Sequence, residues 1–160
     1  HLRSSSEISP CNRPPLELVV GYTGVPHSTR SEVEKVQKLK KRYPELIDGI
    51  FQAIGSISDR AQPLMADQNK AELGELMNIN HGLLEAIGVG SRELCELVYA
   101  SRGAGGAMGA KITGAGGGGC MIAIPGPTGK EPLMTAIMQA GGRPFATKTG
   151  QEGVRLEREA

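Results

Sequence analysis

Hydrophobic and polar positions follow two different periods along the chain, and the period changes where glycine or proline occurs. Residues 16–23 (LELVVGYT) are aliphatic and β-branched, which predicts a strand that Pro26 interrupts. Residues 110–124 hold two more such segments on either side of a glycine run, and 143–147 and 153–157 are shorter candidates. The pattern therefore predicts about five short strands.

Between the first two strands, apolar residues recur every three or four positions, which is the period of amphipathic helices. The first helix is expected to begin at Thr29, where T-x-x-E has the form of a capping box. The second is expected to begin at Pro44, and Pro63 to end or kink it. The inner stripes predicted for these two helices are Val33, Val36, Leu39 and Tyr43, and then Leu46, Ile50, Ile54, Ile57 and Ala61.

Capping residues mark two further helices before the glycine run, and one more follows it. Asn69 precedes the third helix, Ser91 precedes the fourth, and residues 130–139 form the fifth. The resulting order, β-αααα-ββ-α-ββ, favours an α+β layer over a wound parallel sheet. We see no internal repeat and no low-complexity tract.

Length and composition indicate one globular domain with an aliphatic core. The chain has 160 residues, of which 39% are hydrophobic and only 3% aromatic. Residues 1–14 are polar and serine-bearing, so we interpret them as a linker or disordered arm and residues 15–160 as the domain. The net charge of +1 argues against nucleic acid or a membrane surface as a partner.

The three cysteines are widely spaced and odd in number, which is not typical of a disulfide framework. A reducing, cytoplasmic location is therefore the expectation. No apolar run has the length of a membrane span, and no signal-peptide pattern opens the sequence. Because the chain begins with His1 instead of methionine, we expect it to be a fragment or a processed product.

The glycine run Gly114–Gly119, with Ala115 as its one other residue, is the candidate for chemistry. Its backbone N–H groups could curl around an anion such as a phosphate, whereas the alternative is a long flexible hairpin loop. The run formally contains G-x-G-x-x-G, but it leads into a strand and not into a helix, so a dinucleotide fingerprint is excluded. The Walker pattern also fails, since no Gly-Lys-Ser/Thr follows at the required spacing.

Three segments carry a resemblance to a known family. Residues 111–120 (KITGAGGGGC) resemble the third, C-terminal glycine-rich motif of the GHMP small-molecule kinases, and their four-glycine form is most similar to the mevalonate kinases. Residues 23–30 (TGVPHSTR) and 77–89 (MNINHGLLEAIGV) are similar to further segments of those kinases. The resemblance implies a GHMP-kinase C-terminal domain, in which helices cover an antiparallel, ferredoxin-like sheet of four to five strands. Pro63 departs from the family, which usually keeps that helix continuous.

The resemblance also implies what the domain binds. In the family the loop lies beside the ATP phosphates, while the catalytic residues and most Mg²⁺ ligands belong to an N-terminal domain that this chain does not resemble. Thr23 would lie on the substrate side, and we assign no catalytic or metal-binding residue. The residues implied to bind the phosphates of ATP are Thr113, Gly114, Ala115, Gly116, Gly117, Gly118 and Gly119.

The activity that the resemblance implies belongs to a longer enzyme. That enzyme would transfer the ATP γ-phosphoryl group to mevalonate for isoprenoid synthesis, with the N-terminal domain as partner, and a homodimer is left open. This part alone is expected to have no turnover. The alternatives are another GHMP kinase, such as one acting on phosphomevalonate, and a non-catalytic domain that binds a small regulatory ligand. A nucleic-acid module is disfavoured, because it would need a basic surface with exposed aromatic residues.

For four other polar residues we favour a structural role over a functional one. Lys111 is expected to be an exposed residue at a strand end, and Asn80 to be satisfied by neighbouring backbone. His81 is expected to be structural, and Cys120 to be a small buried hydrophobic residue.

Overall fold

The computed structural model describes residues 14–150, in which four strands and five helices follow one another in the order β-αααα-ββ-α-β, which matches the predicted order as far as the fourth strand. The strand predicted at 153–157 lies outside the described residues, as does nearly all of the arm at 1–14. In chain order the elements are β1 (Glu17–Tyr22), α1 (Thr29–Arg42), α2 (Pro44–Ala66), α3 (Lys70–Ala86), α4 (Arg92–Arg102), β2 (Gly109–Ile112), β3 (Cys120–Ile124), α5 (Glu131–Gln139) and β4 (Arg143–Lys148).

The four strands form one antiparallel sheet in the order β2-β3-β1-β4. In the centre of the sheet, Val19 of β1 lies opposite Ala123 of β3 on one side and Ala146 of β4 on the other. A β-α-β-β-α-β chain with this strand order is ferredoxin-like, with three additional helices in its first crossover. The predicted α+β class and antiparallel sheet are confirmed for the described residues.

The core lies where α4 and α5 pack on the sheet and α3 packs along the edge strand β2. It is aliphatic, as the composition predicts: Leu94, Leu97, Leu133 and Ile137 are at most 1% exposed. α3 approaches β2 through two glycines, since a Cβ placed on Gly109 would lie 2.2 Å from the carbonyl oxygen of Gly74. Glycine is required at both positions because the two backbones touch.

Two details predicted for α1 are wrong. The residue that caps the helix is Ser28 and not Thr29, because the Ser28 hydroxyl accepts a hydrogen bond from the Ser31 amide. Val33 is 46% exposed and Tyr43 is 43% exposed, although both were expected on the inner stripe. Val36 and Leu39 do pack against the core, and the stripe is completed by the buried carboxylate residue Glu32.

The stripe predicted for α2 is shifted by one residue at its start. Leu46 is 69% exposed, whereas Ile47 is 4% exposed and belongs to the core. Pro63 lies inside α2, which continues to Ala66 and ends with the Asp67 amide donating to the Pro63 carbonyl. The helix therefore ends within one turn of the proline. Among residues 14–150, no helix combines the length and the apolar character that crossing a membrane requires.

Candidate functional site

The loop between β2 and β3 (residues 113–119, hereafter the glycine loop) curls through a backbone conformation that only glycine adopts readily. The φ angles of Gly114, Gly116, Gly117 and Gly119 lie between 74° and 82°, and that of Gly118 is 158°. L-residues avoid this region because their Cβ collides with the backbone. The loop is therefore an ordered curl and not a flexible connection of arbitrary shape.

Residues 25–27 and the turn between α3 and α4 closely contact one side of the curl. A Cβ on Gly116 would lie 1.8 Å from the Val89 carbonyl oxygen, in the turn between α3 and α4. A Cβ on Gly118 would lie 2.7 Å from the Val25 carbonyl oxygen, and one on Gly119 would lie 2.8 Å from the His27 ring. These three glycines are thus required by contacts within the protein.

Only two amides of the glycine loop donate to an acceptor in the part of the chain that the structure describes. The Gly117 amide donates to the Val89 carbonyl over 3.1 Å, so this group is not free for an anion. The Thr113 amide donates to the Cys120 carbonyl over 3.0 Å and closes the loop at its base. Within residues 14–150, no protein acceptor is found for the amides of Gly114, Ala115, Gly116, Gly118 and Gly119.

Of these amides, those of Gly114 and Ala115 belong to the open part of the curl. Gly114 is exposed, and a Cβ placed there would meet no atom within 4 Å, while Ala115 is half-buried. Gly116, Gly118 and Gly119 are buried residues. Gly114 also borders a cavity of about 380 Å³ between α2, α3 and β2, whose polar lining residues include Lys111, Asn80 and Ser58.

Thr23 is hydrogen-bonded to the last residue of the glycine loop. Its amide and its hydroxyl both donate to the Gly119 carbonyl, over 2.9 and 3.1 Å, and the hydroxyl accepts from the Val25 amide over 3.2 Å. A hydroxyl has one proton and two lone pairs. Thr23 therefore retains one lone pair with which it can accept a hydrogen bond from a ligand.

Lys111 is less exposed than the sequence predicted. It is half-buried, and its Nζ donates to the Ile112 carbonyl over 2.8 Å. Burial lowers the pKa of the Lys111 ammonium below its ordinary value, because the charged form loses hydration. Its positive charge is at the wall of the cavity that Gly114 borders.

The other three polar residues considered in the sequence analysis lie in different parts of the fold. Asn80 is 7% exposed and lines the cavity, whereas His81, the next residue, is fully buried on a different side of α3, against α4. Cys120 is half-buried and not fully buried, since it is the first residue of β3.

The sequence analysis missed four residues that contact the glycine loop. These are Val25, His27, Val89 and Glu32, and the carboxylate of Glu32 would lie 2.8 Å from a Cβ on Gly117. Glu32 is 8% exposed and forms an ion pair of 2.7 Å with Lys35. The only signal in the sequence was that Val25, His27 and Val89 fall within residues 23–30 and 77–89, the two other segments that resemble GHMP kinases. No sequence signal indicated Glu32, whose position follows from how α1 packs.

Comparisons with known proteins agree with this geometry. The family model described as "GHMP kinases C terminal" matches residues 61–142. A mevalonate kinase from Thermococcus sibiricus is 50% identical over 147 residues, which is 89% of this chain and 44% of the relative. The chain therefore spans less than half the length of the curated relatives it matches.

Solved structures give the same result. The L. major mevalonate kinase in complex with R-mevalonate is 33% identical, with a TM-score of 0.70 over 80% of this chain and 38% of that one. A Streptococcus pneumoniae phosphomevalonate kinase has a TM-score of 0.69 over 89% of this chain and 43% of that one. Its identity is only 22%, so this second likeness concerns the fold alone.

Proposed function

The chain belongs to the GHMP kinase family and matches its C-terminal domain, and from this we propose that it forms, over residues 15–160, the C-terminal domain of an ATP-dependent mevalonate kinase. The longer enzyme transfers the γ-phosphoryl group of ATP to mevalonate. The observation that carries the proposal is the ordered glycine loop, in which Gly114 is exposed, Ala115 is half-buried, and neither amide has an acceptor among residues 14–150. The 50% identity to a mevalonate kinase supports the choice of substrate.

The proposed task of the glycine loop is to stabilise charge on phosphate oxygens. Phosphoryl transfer depends mainly on positioning and on electrostatic stabilisation, and fixed N–H dipoles need no reorganisation during the reaction. The amides of Gly114 and Ala115 are the donors for this role, and Lys111 adds positive potential at the adjoining cavity. The Gly117–Val89 hydrogen bond holds the curl in place. The sequence analysis implied that all seven residues 113–119 bind the phosphates. We now propose only Gly114 and Ala115 as hydrogen-bond donors.

Thr23 is proposed to contact the alcohol substrate as an acceptor. Its hydroxyl proton is engaged by the Gly119 carbonyl, so the free lone pair is the group available to mevalonate. A substrate hydroxyl that donates to Thr23 would be held beside the glycine loop. Thr23 thereby positions the substrate, and it does not act as a base because its own proton stays in place.

We also propose that the described residues supply no magnesium site at the glycine loop. Within the described residues, the carboxylate against the loop is that of Glu32, which is already paired with Lys35. Mg²⁺ prefers several oxygen ligands in octahedral geometry, which one paired carboxylate does not provide. We therefore assign the Mg²⁺ ligands and the general base to an N-terminal domain of the longer kinase. Cytoplasmic location and homodimer formation stay predictions.

The activity is tested with a fusion of this chain to the N-terminal part of the Thermococcus sibiricus mevalonate kinase. We expect the fusion to phosphorylate mevalonate and the isolated chain to give no turnover. Substituting phosphomevalonate as acceptor distinguishes the sister kinase, and calorimetry of the isolated chain with ATP and mevalonate distinguishes a regulatory ligand-binding domain. Turnover by the isolated chain, or a fusion active only on phosphomevalonate, would contradict the proposal.

A further inference from the structure

Three metal-binding side chains converge between α3 and α4, away from the glycine loop. His81 and Glu85 lie one turn apart on α3, and Cys95 faces them from α4. The Glu85 carboxylate is 3.4 Å from His81 Nε2 through one oxygen and 3.2 Å from Cys95 Sγ through the other. One donor atom from each residue fits within 4.8 Å of the other two.

His81 is the unsatisfied member of this group. Its ring is fully buried, and neither ring nitrogen has a hydrogen-bond partner among the described residues. Burial lowers the pKa of the imidazole, with a smaller opposing contribution from Glu85, so that the ring is neutral near pH 7. A buried polar group without a partner is costly. A neutral imidazole with a free nitrogen is also the form that binds a metal ion.

We propose that His81, Glu85 and Cys95 form a binding site for a divalent transition-metal ion, with Zn²⁺ as the best match. The donor set of imidazole, carboxylate and thiolate is typical of zinc and unsuited to Mg²⁺ or Ca²⁺, which prefer oxygen alone. The proposal concerns the helices behind the glycine loop and does not depend on the kinase activity.

The geometry of the cluster is close to that of a zinc site. With Zn–N and Zn–O distances of about 2.0–2.1 Å and a Zn–S distance of about 2.3 Å, tetrahedral ligand atoms lie roughly 3.3–3.6 Å apart. The distances from Glu85 to His81 and to Cys95 are already near this range, although each is measured to a different carboxylate oxygen, so the carboxylate has to rotate or bind the ion through both oxygens. Because the three donor atoms lie within 4.8 Å of one another, the pair formed by His81 and Cys95 has to approach by roughly 1.2–1.5 Å at most, which side-chain rotation can supply. The fourth position is left for water, beside the exposed Tyr99 whose hydroxyl donates to Glu85.

The charges balance when zinc binds. Without a metal, burial and the Glu85 carboxylate raise the pKa of the Cys95 thiol to about 11. On binding, the Cys95 sulfur loses its proton to solvent and forms the Zn–S bond, while Glu85 contributes its existing negative charge. The complex of Zn²⁺ with one thiolate and one carboxylate is neutral, which suits a half-buried site. Neutrality also limits repulsion from Arg102 and Lys111, whose positive charges act on His81.

The cluster adjoins the turn that supports the glycine loop. A Cβ on Gly90 would lie 2.8 Å from Cys95 Sγ, and the preceding residue, Val89, accepts the hydrogen bond from Gly117. An ion that joins α3 to α4 at this point would hold the turn between them rigidly. The expected effect of the ion is therefore to stiffen the turn that supports the glycine loop.

The test is a titration of the metal-free chain with Zn²⁺ by calorimetry, and with Co²⁺ by absorption spectroscopy. We expect one ion per chain with a Kd of about 1 μM or tighter, and a thiolate-to-cobalt charge-transfer band. Cys95→Ser should abolish the band and weaken zinc binding more than the roughly 10- to 100-fold that loss of a merely supporting group costs. Cys120→Ser is the matched control, because Cys120 is half-buried like Cys95 but lies at the start of β3, outside the cluster. This variant should retain both signals.

Circular dichroism checks that each variant is folded. If Cys95→Ser does not fold, Glu85→Gln replaces it and should weaken zinc binding while retaining the helix content. Zinc binding that is equal in the wild type, Cys95→Ser and Glu85→Gln would show that the ion binds elsewhere and would overturn the proposal. Failure of the wild-type chain to bind Zn²⁺ at 100 times the expected Kd would overturn it as well.

Discussion

The backbone amide of Gly117 donates a hydrogen bond of 3.1 Å to the carbonyl oxygen of Val89, so the glycine loop is fixed to the turn between α3 and α4. The neighbouring Gly116 lies so close to the same carbonyl that no side chain fits between them. One side of the curl is thus held by the protein, whereas Gly114 is exposed and Ala115 is half-buried, and this is the side that we propose for the ligand.

Replacing glycines on the two sides of the curl should have unequal effects. Gly116→Ala adds a Cβ 1.8 Å from the Val89 oxygen at a φ of 78°, so strain and overpacking together should cost about 3 kcal/mol of unfolding free energy. Gly114→Ala, the matched control, meets only the cost of its φ of 75°, about 1 kcal/mol. Urea unfolding measures both values. Equal losses would mean that the Val89 contact does not restrain the loop.

A second pair of glycines, both inside α3, should change stability in opposite directions. Gly74→Ala places a Cβ 2.5 Å from the Met108 carbonyl oxygen and should destabilise the fold by about 2 kcal/mol. Gly82→Ala adds a methyl group that meets no atom within 4 Å, and it should stabilise α3 by about 0.5–1 kcal/mol because alanine favours helix. Thermal unfolding of the two variants tests this, and a stable Gly74→Ala would refute the close packing of α3 on β2.

The hydroxyl of Thr23 should matter for stability as well as for the proposed substrate contact. Thr23→Val removes the donor to Gly119 and the acceptor for Val25, which should cost about 1–2 kcal/mol. Thr23→Ser keeps the hydroxyl and should lose little of this. In the active fusion, Thr23→Val should raise the KM for mevalonate and leave the KM for ATP nearly unchanged. A larger effect on ATP would place Thr23 on the nucleotide side.

The buried ammonium of Lys111 should make stability depend on alkaline pH. Because burial depresses its folded-state pKa below the unfolded value of 10.5, the unfolded chain binds more protons in that window. The contribution of Lys111 to the unfolding free energy should therefore rise as the pH increases through the folded-state pKa toward 10.5.

The Lys111 effect is measured as a difference between variants, so that other titrating groups cancel. Urea unfolding from pH 8 to about 10.5 should show a more positive slope for the wild type than for Lys111→Met. Lys38→Met, which removes an exposed lysine of α1, should keep the wild-type slope. If the unfolding free energy of the wild type and of Lys111→Met changed with pH in parallel, the charged form of Lys111 would not be destabilised in the folded state.

The elements of the fold were predictable because their signals are local. Asn69 and Ser91 cap α3 and α4 through side-chain acceptors, as their positions in the sequence predict. Where neighbouring residues satisfy the same local rule, the sequence did not distinguish them: Ser28 caps α1 instead of Thr29, and Ile47 is buried instead of Leu46. The packing of the helices on the sheet determines which residue caps α1 and which residue of α2 is buried.

The site was predictable in its motif but not in its surroundings. The glycine loop could be identified from the run of glycines between two strands, because its conformation depends on the absence of Cβ atoms. Its contacts with Val89, Val25 and Glu32 join residues distant in sequence, so no local pattern indicates them. For the same reason, the pairing of His81 with Cys95 across two helices could be found only in the folded structure.

The central claim, that the open amides of the glycine loop bind the phosphates of ATP, is tested most directly by ¹⁵N–¹H NMR of the chain titrated with ATP. The account predicts that the Gly114 and Ala115 amide resonances shift progressively up to about 10 mM ATP, that Gly117 changes least, and that adenosine has no such effect. Amide resonances of the glycine loop that stay in place throughout the ATP titration would contradict it.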